Sequence, residues 1–224
     1  MNLIAKGGIF MIPILTLSVI ALALIVERMI SLWWRYRLDE EGLLKRIIHA
    51  LDQQDFPFAL QECAAAESHP LGRVLQAGLL KVHRSDREIE RAMEEEMLRS
   101  VPDIRRRINY LATFGNIATL LGLLGTIFGL IQAFEGVSVA DAATKQEILA
   151  RGISVAMLTT ACGLIVAIPC LLFYSFLQNR ATRIIEGIEE KAMTVFNKIS
   201  SLHRDLERKE ARVRMRAIEG GRGA

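Results

Sequence analysis

The chain has 224 residues, 51% of them apolar, yet 24% carry charge, and mean hydropathy is +0.28; this excludes one evenly mixed soluble core and implies apolar blocks in a bilayer beside sizeable aqueous parts. A net charge of +3 gives no reason to expect nucleic acid as a partner. Cys63, Cys162 and Cys170 form no CxxC or Cys/His cluster, the four histidines lie outside the apolar blocks, and no P-loop or nucleophile elbow is present, so the sequence predicts no enzyme, no catalytic residue, no cofactor and no metal.

The first apolar block, Ile9 to Val26, has no charge and is continued past Glu27 and Arg28 by Met29, Ile30, Leu32, Trp33 and Trp34. It is long enough to cross a hydrocarbon core of about 30 Å, with the tryptophans as interfacial anchors. It is too long for a signal-peptide apolar region and no small-x-small cleavage site follows, so an anchor is expected. Glu27 and Arg28 read as side chains that snorkel to the interface.

Between residues 35 and 108 the apolar positions recur at helical spacing, as in Leu43, Leu44, Ile47, Ile48, Leu51 and again Leu71, Val74, Leu75, Leu79, Val82. Amphipathic helices in water are expected there. A stripe of Ile89, Met93, Met97, Val101, Ile104 and Ile108 leads into the next apolar block, and Pro102 is expected to break or kink it.

Leu111 to Phe134 and Ile153 to Leu177 are charge-free runs of 24 and 25 residues, each sufficient for a span. A stripe of Ile184, Ile185, Ile188, Ala192, Val195, Phe196, Ile199, Leu202 and Leu206 then predicts a long aqueous helix continuing the third span. It and the stripe before the second span are matched to pair in opposite directions. Beyond about Arg214 little remains to bury, and disorder is expected.

The fold class is therefore an all-α membrane protein with three transmembrane helices and long cytoplasmic helical extensions. Its segments are 1–34 (first span), 35–108 (cytoplasmic helical loop), 109–178 (second and third spans with a short outer loop) and 179–224 (cytoplasmic tail). Twelve basic residues flank one side of the spans (Arg35, Arg37, Lys45, Arg46, Arg91, Arg99, Arg105, Arg106, Arg107, Arg180, Arg183, Lys191) and three the other (Lys6, Lys145, Arg151). That places the loop and tail in the cytoplasm and the N-terminus outside.

Within the second span Thr119, Gly122, Thr126, Gly129 and Ala133 recur at three- and four-residue steps; the third repeats this with Gly152, Ala156, Thr159, Thr160, Gly163, Ala167 and Cys170. Small faces of this kind let helix backbones approach, and a threonine hydroxyl can bond its own helix. Hydroxyls gathered on both spans also suit a water- or partner-accessible interior. Neither span contains Asp, Glu, His, Lys or Arg, so a charge carried through mid-membrane has to be supplied by another subunit.

The segments Gly122-Leu-Leu-Gly-Thr126, Phe128-Gly129, Ala133-Phe134, Gly152-Ile-Ser and Thr160-Ala-Cys-Gly163-Leu-Ile-Val-Ala-Ile-Pro169 resemble the ExbB/TolQ/MotA proton-channel family. The three spans and a long loop after the first are similar to the ExbB/TolQ branch; the MotA branch has four. The resemblance covers most of the chain and is strongest from about Pro70 to Asn179. It implies a homo-oligomer, a pentamer, around a single-span partner similar to ExbD, TolR or MotB, whose membrane aspartate carries the ion.

Carried over by motif, Thr126 and Thr160 lie beside that aspartate, with Thr119 and Thr159 as neighbouring hydroxyls. Gly122, Gly125, Gly129, Gly163 and Pro169 are then expected to serve helix packing. Two positions depart from the family pattern. Val155 stands where the family typically has Glu, and Thr119 where it commonly has Pro. The first leaves room for another reading, a non-conducting scaffold that assembles an envelope complex.

Overall fold

The computed structural model describes residues 8–35 and 39–221. Every element among them is helical. In chain order they are α1 (Met11–Ile30, continued by a π-helical turn Ser31–Arg35), α2 (Glu40–Asp52), α3 (Phe56–Ala65), α4 (Pro70–Leu79), α5 (Asp86–Arg105), α6 (Ile108–Val139) and α7 (Lys145–Gly221). Lys6, Arg37 and the side chains of Trp34 and Arg35 lie outside the described residues.

Three helices are long and apolar enough to cross a membrane, and they contain the three predicted spans. At 1.5 Å per residue the 20 residues of α1 reach about 30 Å, while the 77 residues of α7 reach about 115 Å. Roughly a quarter of α7 is enough to span, so the remainder has to stand in water. Its backbone stays helical to Gly221, past Arg214, where disorder was expected. The sequence of residues 207–217 carries no apolar stripe, but Glu, Arg, Lys, Met and Ala, which fill most of it, are strong helix formers. Residues 222–224 of the expected disordered end lie outside the described residues.

The chain divides into two units. One comprises the described residues of Met1–Trp34 with Arg105–Ala181, and the other Arg35–Ile104 with Thr182–Ala224. In the first, α1 turns Met11, Ile14, Ala21, Ile25, Arg28 and Leu32 inward, one position per turn or two at helical spacing. That spacing corrects the expectation for Arg28. It is 5% exposed, because it falls on the packing stripe rather than on the snorkelling side. Glu27, one residue earlier, remains about half exposed and pairs with Arg107 Nη1 at 2.5 Å.

Pro102 does not end α5. The helix continues to Arg105, and the break comes at Arg106 and Arg107, with Arg107 in the left-handed conformation at φ 61°. The ring removes one N–H, but the end is set where a non-glycine residue takes positive φ, a conformation that costs on the order of 1 kcal/mol. The Glu27 carboxylate holds the side chain of that residue.

In the second unit, helix starts are marked by side chains that accept orphan amides: Asp39 from Gly42 and Asp55 from Phe58, both at 3.1 Å, and His69 from Leu71 at 3.2 Å. Leu43, Ile47 and Leu51 of α2, Ala59 and Cys63 of α3, Leu71 and Leu75 of α4, Ile89 of α5 and Ile188, Val195 and Ile199 of α7 are all buried. Burial, with Glu62 adding to it, pushes the Cys63 thiol up to about 12, as suits an inert packing group. The C-terminal part of α7 is also stitched by polar contacts. Lys191 pairs with Glu40 at 2.9 Å and Lys198 with Asp52. Asp86 accepts from Ser200 at 2.5 Å and faces His203 Nδ1 at 3.0 Å. The two stripes read from the sequence on α5 and α7 thus meet within this unit, Asp86 near Ser200 and Val101 sharing a groove with Ile185.

His69 is 2% exposed, and its Nδ1 accepts the Leu71 amide, so that nitrogen has to be unprotonated. Burial lowers its pKa from 6.5; Glu40 opposes this, while Arg73 and Lys191 add to it. A histidine with a lowered folded pKa contributes its full stability above the unfolded value and loses it as pH falls below that value. Relative to His69→Asn, which caps the helix without titrating, the wild-type melting temperature should therefore fall as pH drops from about 7.5 to about 5.5. Parallel melting curves for the two proteins would remove His69 as the cause.

Candidate functional site

The facing of α6 is decided by side-chain size. The helix is apolar all round, and the positions it buries are Leu111, Gly115, Ala118, Gly122, Gly125, Gly129 and Ala133, a stripe at three- and four-residue steps. The facing stripe of α7 is Ala156, Thr159, Gly163, Ala167 and Cys170. Leu120, Leu123, Leu124, Ile127 and Phe134 point away and are exposed. In a bilayer apolar side chains gain nothing by facing each other rather than lipid, so close contact falls to the small residues.

The approach is backbone on backbone. A Cβ placed on Gly163 would sit 2.7 Å from the Ala118 carbonyl oxygen and 3.0 Å from Gly122 Cα; one on Gly122 would sit 3.3 Å from the Thr159 carbonyl and Thr160 Cα; one on Gly129 would meet Ala156 at 3.2 Å. Gly125 instead faces a side chain, with Thr159 Oγ1 2.7 Å from its would-be Cβ. Gly115 and Gly152 belong to the same seam, against Ala167 and Ala133. Pro169 does not. It is exposed, inside α7.

The four threonines have different surroundings. Thr159 is 1% exposed, and its hydroxyl donates to the Val155 and Ala156 carbonyls of its own helix. Thr160 is half-buried and donates across the seam to the Gly122 carbonyl at 3.2 Å. Thr126 is half-buried and donates to Leu123 O at 2.7 Å; Thr119 is exposed and donates to Gly115 O at 3.1 Å. Each is satisfied by a backbone carbonyl, so every hydroxyl oxygen keeps acceptor capacity.

Thr119 and Thr126 each follow a buried stripe position by one residue, which turns them roughly 60–80° off the seam. Thr160 stands in the same relation to Thr159, and its bond to Gly122, one turn before Thr126, puts all three on one flank of the helix pair. The opposite flank is covered by the start of α1. Phe10 packs edge-on against Phe128 at 5.4 Å, and a Cβ on Gly8 would touch Val155 Cγ1 at 3.8 Å. Val155, the position of the family carboxylate, is thus on the α1 side, away from the three hydroxyls.

The small residues expected from the sequence lie together along the seam, Pro169 excepted, whereas Thr159, expected beside Thr160, is sealed within it. Thr159 and Thr160, one residue apart, lie on different faces of α7, and only the partner helix decides which is covered. Arg107 with Glu27, and Trp33 with Arg180, were not anticipated as pairs, because they join residues far apart in sequence with no shared motif.

A closely packed antiparallel helix pair, apolar outside, with no Asp, Glu, His, Lys or Arg along its charge-free runs and a third apolar helix against it, defines a multi-pass membrane protein. Residues 66–190 match the MotA/TolQ/ExbB proton channel family, and the chain belongs to that family. It is similar to biopolymer transport protein ExbB-like 1 of Synechocystis sp., at 32% identity over 88% of this chain and 74% of that one. It is also similar to biopolymer transport protein exbB1 of Vibrio cholerae, at 29% identity over 81% and 80%. The Tol-Pal system protein TolQ of Haemophilus influenzae matches at 38% identity over 42% and 41%. The chain is accordingly a multi-pass inner-membrane protein.

The seam predicts a graded response to a single methyl group. Gly163→Ala meets backbone and should destabilise by about 1–3 kcal/mol, Gly122→Ala should cost less, and Gly125→Ala, which meets a movable side chain, should fall between them. Thermal denaturation in detergent measures the order. Equal stability of the Gly163 and Gly122 variants would mean that the backbones do not approach there.

Proposed function

We propose that this chain is the channel subunit of an inner-membrane motor in which flow of protons, or of sodium ions, through a homo-oligomer drives work on the cell envelope. The single observation that carries the reading is the flank formed by Thr119, Thr126 and Thr160 along a helix pair whose charge-free runs hold no Asp, Glu, His, Lys or Arg. A carboxylate crossing the membrane has to be hydrated or hydrogen-bonded when ionised. These hydroxyls suit that task, and the chain offers no mid-membrane carboxylate of its own in its second and third spans. The ion carrier is therefore an acidic residue on a single-span partner of the ExbD/TolR/MotB kind, enclosed by a pentamer of this chain with its three-threonine flank inward. The loop and tail lie in the cytoplasm, following the excess of basic residues on that side.

Membership of a proton channel family and similarity to ExbB- and TolQ-named proteins support this reading. Val155 favours a second one, a non-conducting scaffold, since a family carboxylate is missing there. Its position on the α1 side separates it from the hydroxyl flank, so conduction past the threonines does not require it.

Reconstituted in liposomes, the chain alone should conduct little, and its complex with the acidic partner should conduct. Thr126→Val and Thr160→Val should each slow the complex about tenfold to a hundredfold, because loss of a hydrogen bond to a charged group costs roughly 1.5–3 kcal/mol. Oligomer size should remain unchanged. Thr159→Val, whose hydroxyl is buried against its own helix, should leave flux near wild type. Flux from the chain alone would overturn the partner-carboxylate mechanism, and a complex that never conducts would leave the scaffold.

A further inference from the structure

Beyond the channel, we infer that the end of the first unit at Trp33 and Arg180 is a binding site for an anionic phospholipid. Arg180 lies three residues past Leu177, the last residue of the third apolar run, and its guanidinium carbon stands 5.5 Å from the centre of the Trp33 ring. Trp33 in turn stacks on Phe176, with ring centroids 5.7 Å apart and planes 22° apart. Among the described residues Arg180 has no ion pair or hydrogen bond, and its Nε is buried without an acceptor. A guanidinium held over an indole ring by cation–π attraction presents a planar fork of donors, the group that grips a phosphate through two oxygens.

The surroundings fit the rest of a lipid. Trp33 and Phe176 are 42% and 51% exposed, and Met29 and Leu172, one turn farther from the interface on each helix, are exposed as well. They form an apolar wall along which an acyl chain can lie while its phosphate meets Arg180. Charge favours an anionic headgroup over a zwitterionic one. This end of the unit carries Arg105, Arg106 and Arg180 beside the pair that Arg107 makes with Glu27. Tryptophan at the headgroup level and arginine just beyond it match where phosphates lie in a bilayer. A free phosphate would use the guanidinium but gain nothing from the apolar wall.

The test is native mass spectrometry of the detergent-extracted oligomer titrated with phosphatidylglycerol, phosphatidylcholine or inorganic phosphate. Wild type should retain phosphatidylglycerol in preference to phosphatidylcholine, and inorganic phosphate should not displace it. Arg180→Gln should weaken retention about tenfold. Trp33→Leu, which keeps the charge but removes its platform, should weaken it less. Arg106→Gln, an exposed arginine at the same end without an aromatic partner, should leave it unchanged. Undiminished retention by Arg180→Gln, or equal loss in Arg106→Gln, would reduce the site to diffuse charge and overturn the proposal. Displacement by inorganic phosphate would overturn the lipid as its ligand. Oligomer mass in the same spectra reports whether each variant assembles; should Arg180→Gln fail to assemble, Trp33→Leu carries the test, and undiminished retention there overturns the site.

Discussion

The membrane unit depends on the backbone approach of α6 and α7 at Gly122 and Gly163, where a single added carbon would lie within about 3 Å of backbone atoms. In water such contact is driven by burial of apolar surface, but lipid offers the outer Leu, Ile and Phe side chains surroundings as good as one another. What remains is dispersion between closely fitted backbones and the Thr160 bond to Gly122 O, both available only where side chains are absent or small. Because the seam is narrow, residues one position off it are thrown onto its flanks. The flank bearing Thr119, Thr126 and Thr160 is therefore a by-product of glycine placement.

That arrangement separates two tasks. The seam holds the helices without charge, and the flank holds hydroxyls that already satisfy their hydrogens on backbone carbonyls while their oxygens still accept. Placing an ionised group at mid-bilayer costs on the order of 3 kcal/mol or more, and this chain avoids that cost along the charge-free runs of α6 and α7. In the proposed mechanism a subunit of this design conducts only when another chain brings the charge, which couples ion flow to the presence of the component that is to be moved. In the aqueous unit the logic reverses. There α7 is held by Lys191, Lys198, Ser200 and His203, whose partners Glu40, Asp52 and Asp86 are spread over α2 and α5.

Much of this was legible in the sequence. Runs of 24 and 25 uncharged residues leave few alternatives to spans, and the three- and four-residue recurrence of small residues marked the seam. What the sequence could not supply was facing. Thr159 and Thr160 are adjacent, yet one is sealed under Gly125 and the other reaches Gly122. Arg28 and Glu27 are adjacent, yet one is buried and the other pairs with Arg107. A rotation of 100° per residue separates such neighbours, and only the contact partner selects which of them is covered. The end of α5 could not be read from the sequence for a related reason: proline weakens a helix locally, whereas the break falls at Arg107, whose φ is positive and whose side chain meets a carboxylate eighty residues earlier in the chain.

The central claim is that the threonine flank, rather than the back of α6, faces an acidic partner span. Site-directed cross-linking in membranes tests it directly, using a cysteine-free chain with one cysteine at Thr126 or at Leu120 and a partner with one cysteine next to its membrane carboxylate. The account predicts a cross-link from position 126 and none from position 120, which is exposed on the far side of α6. A cross-link from 120 alone would contradict it.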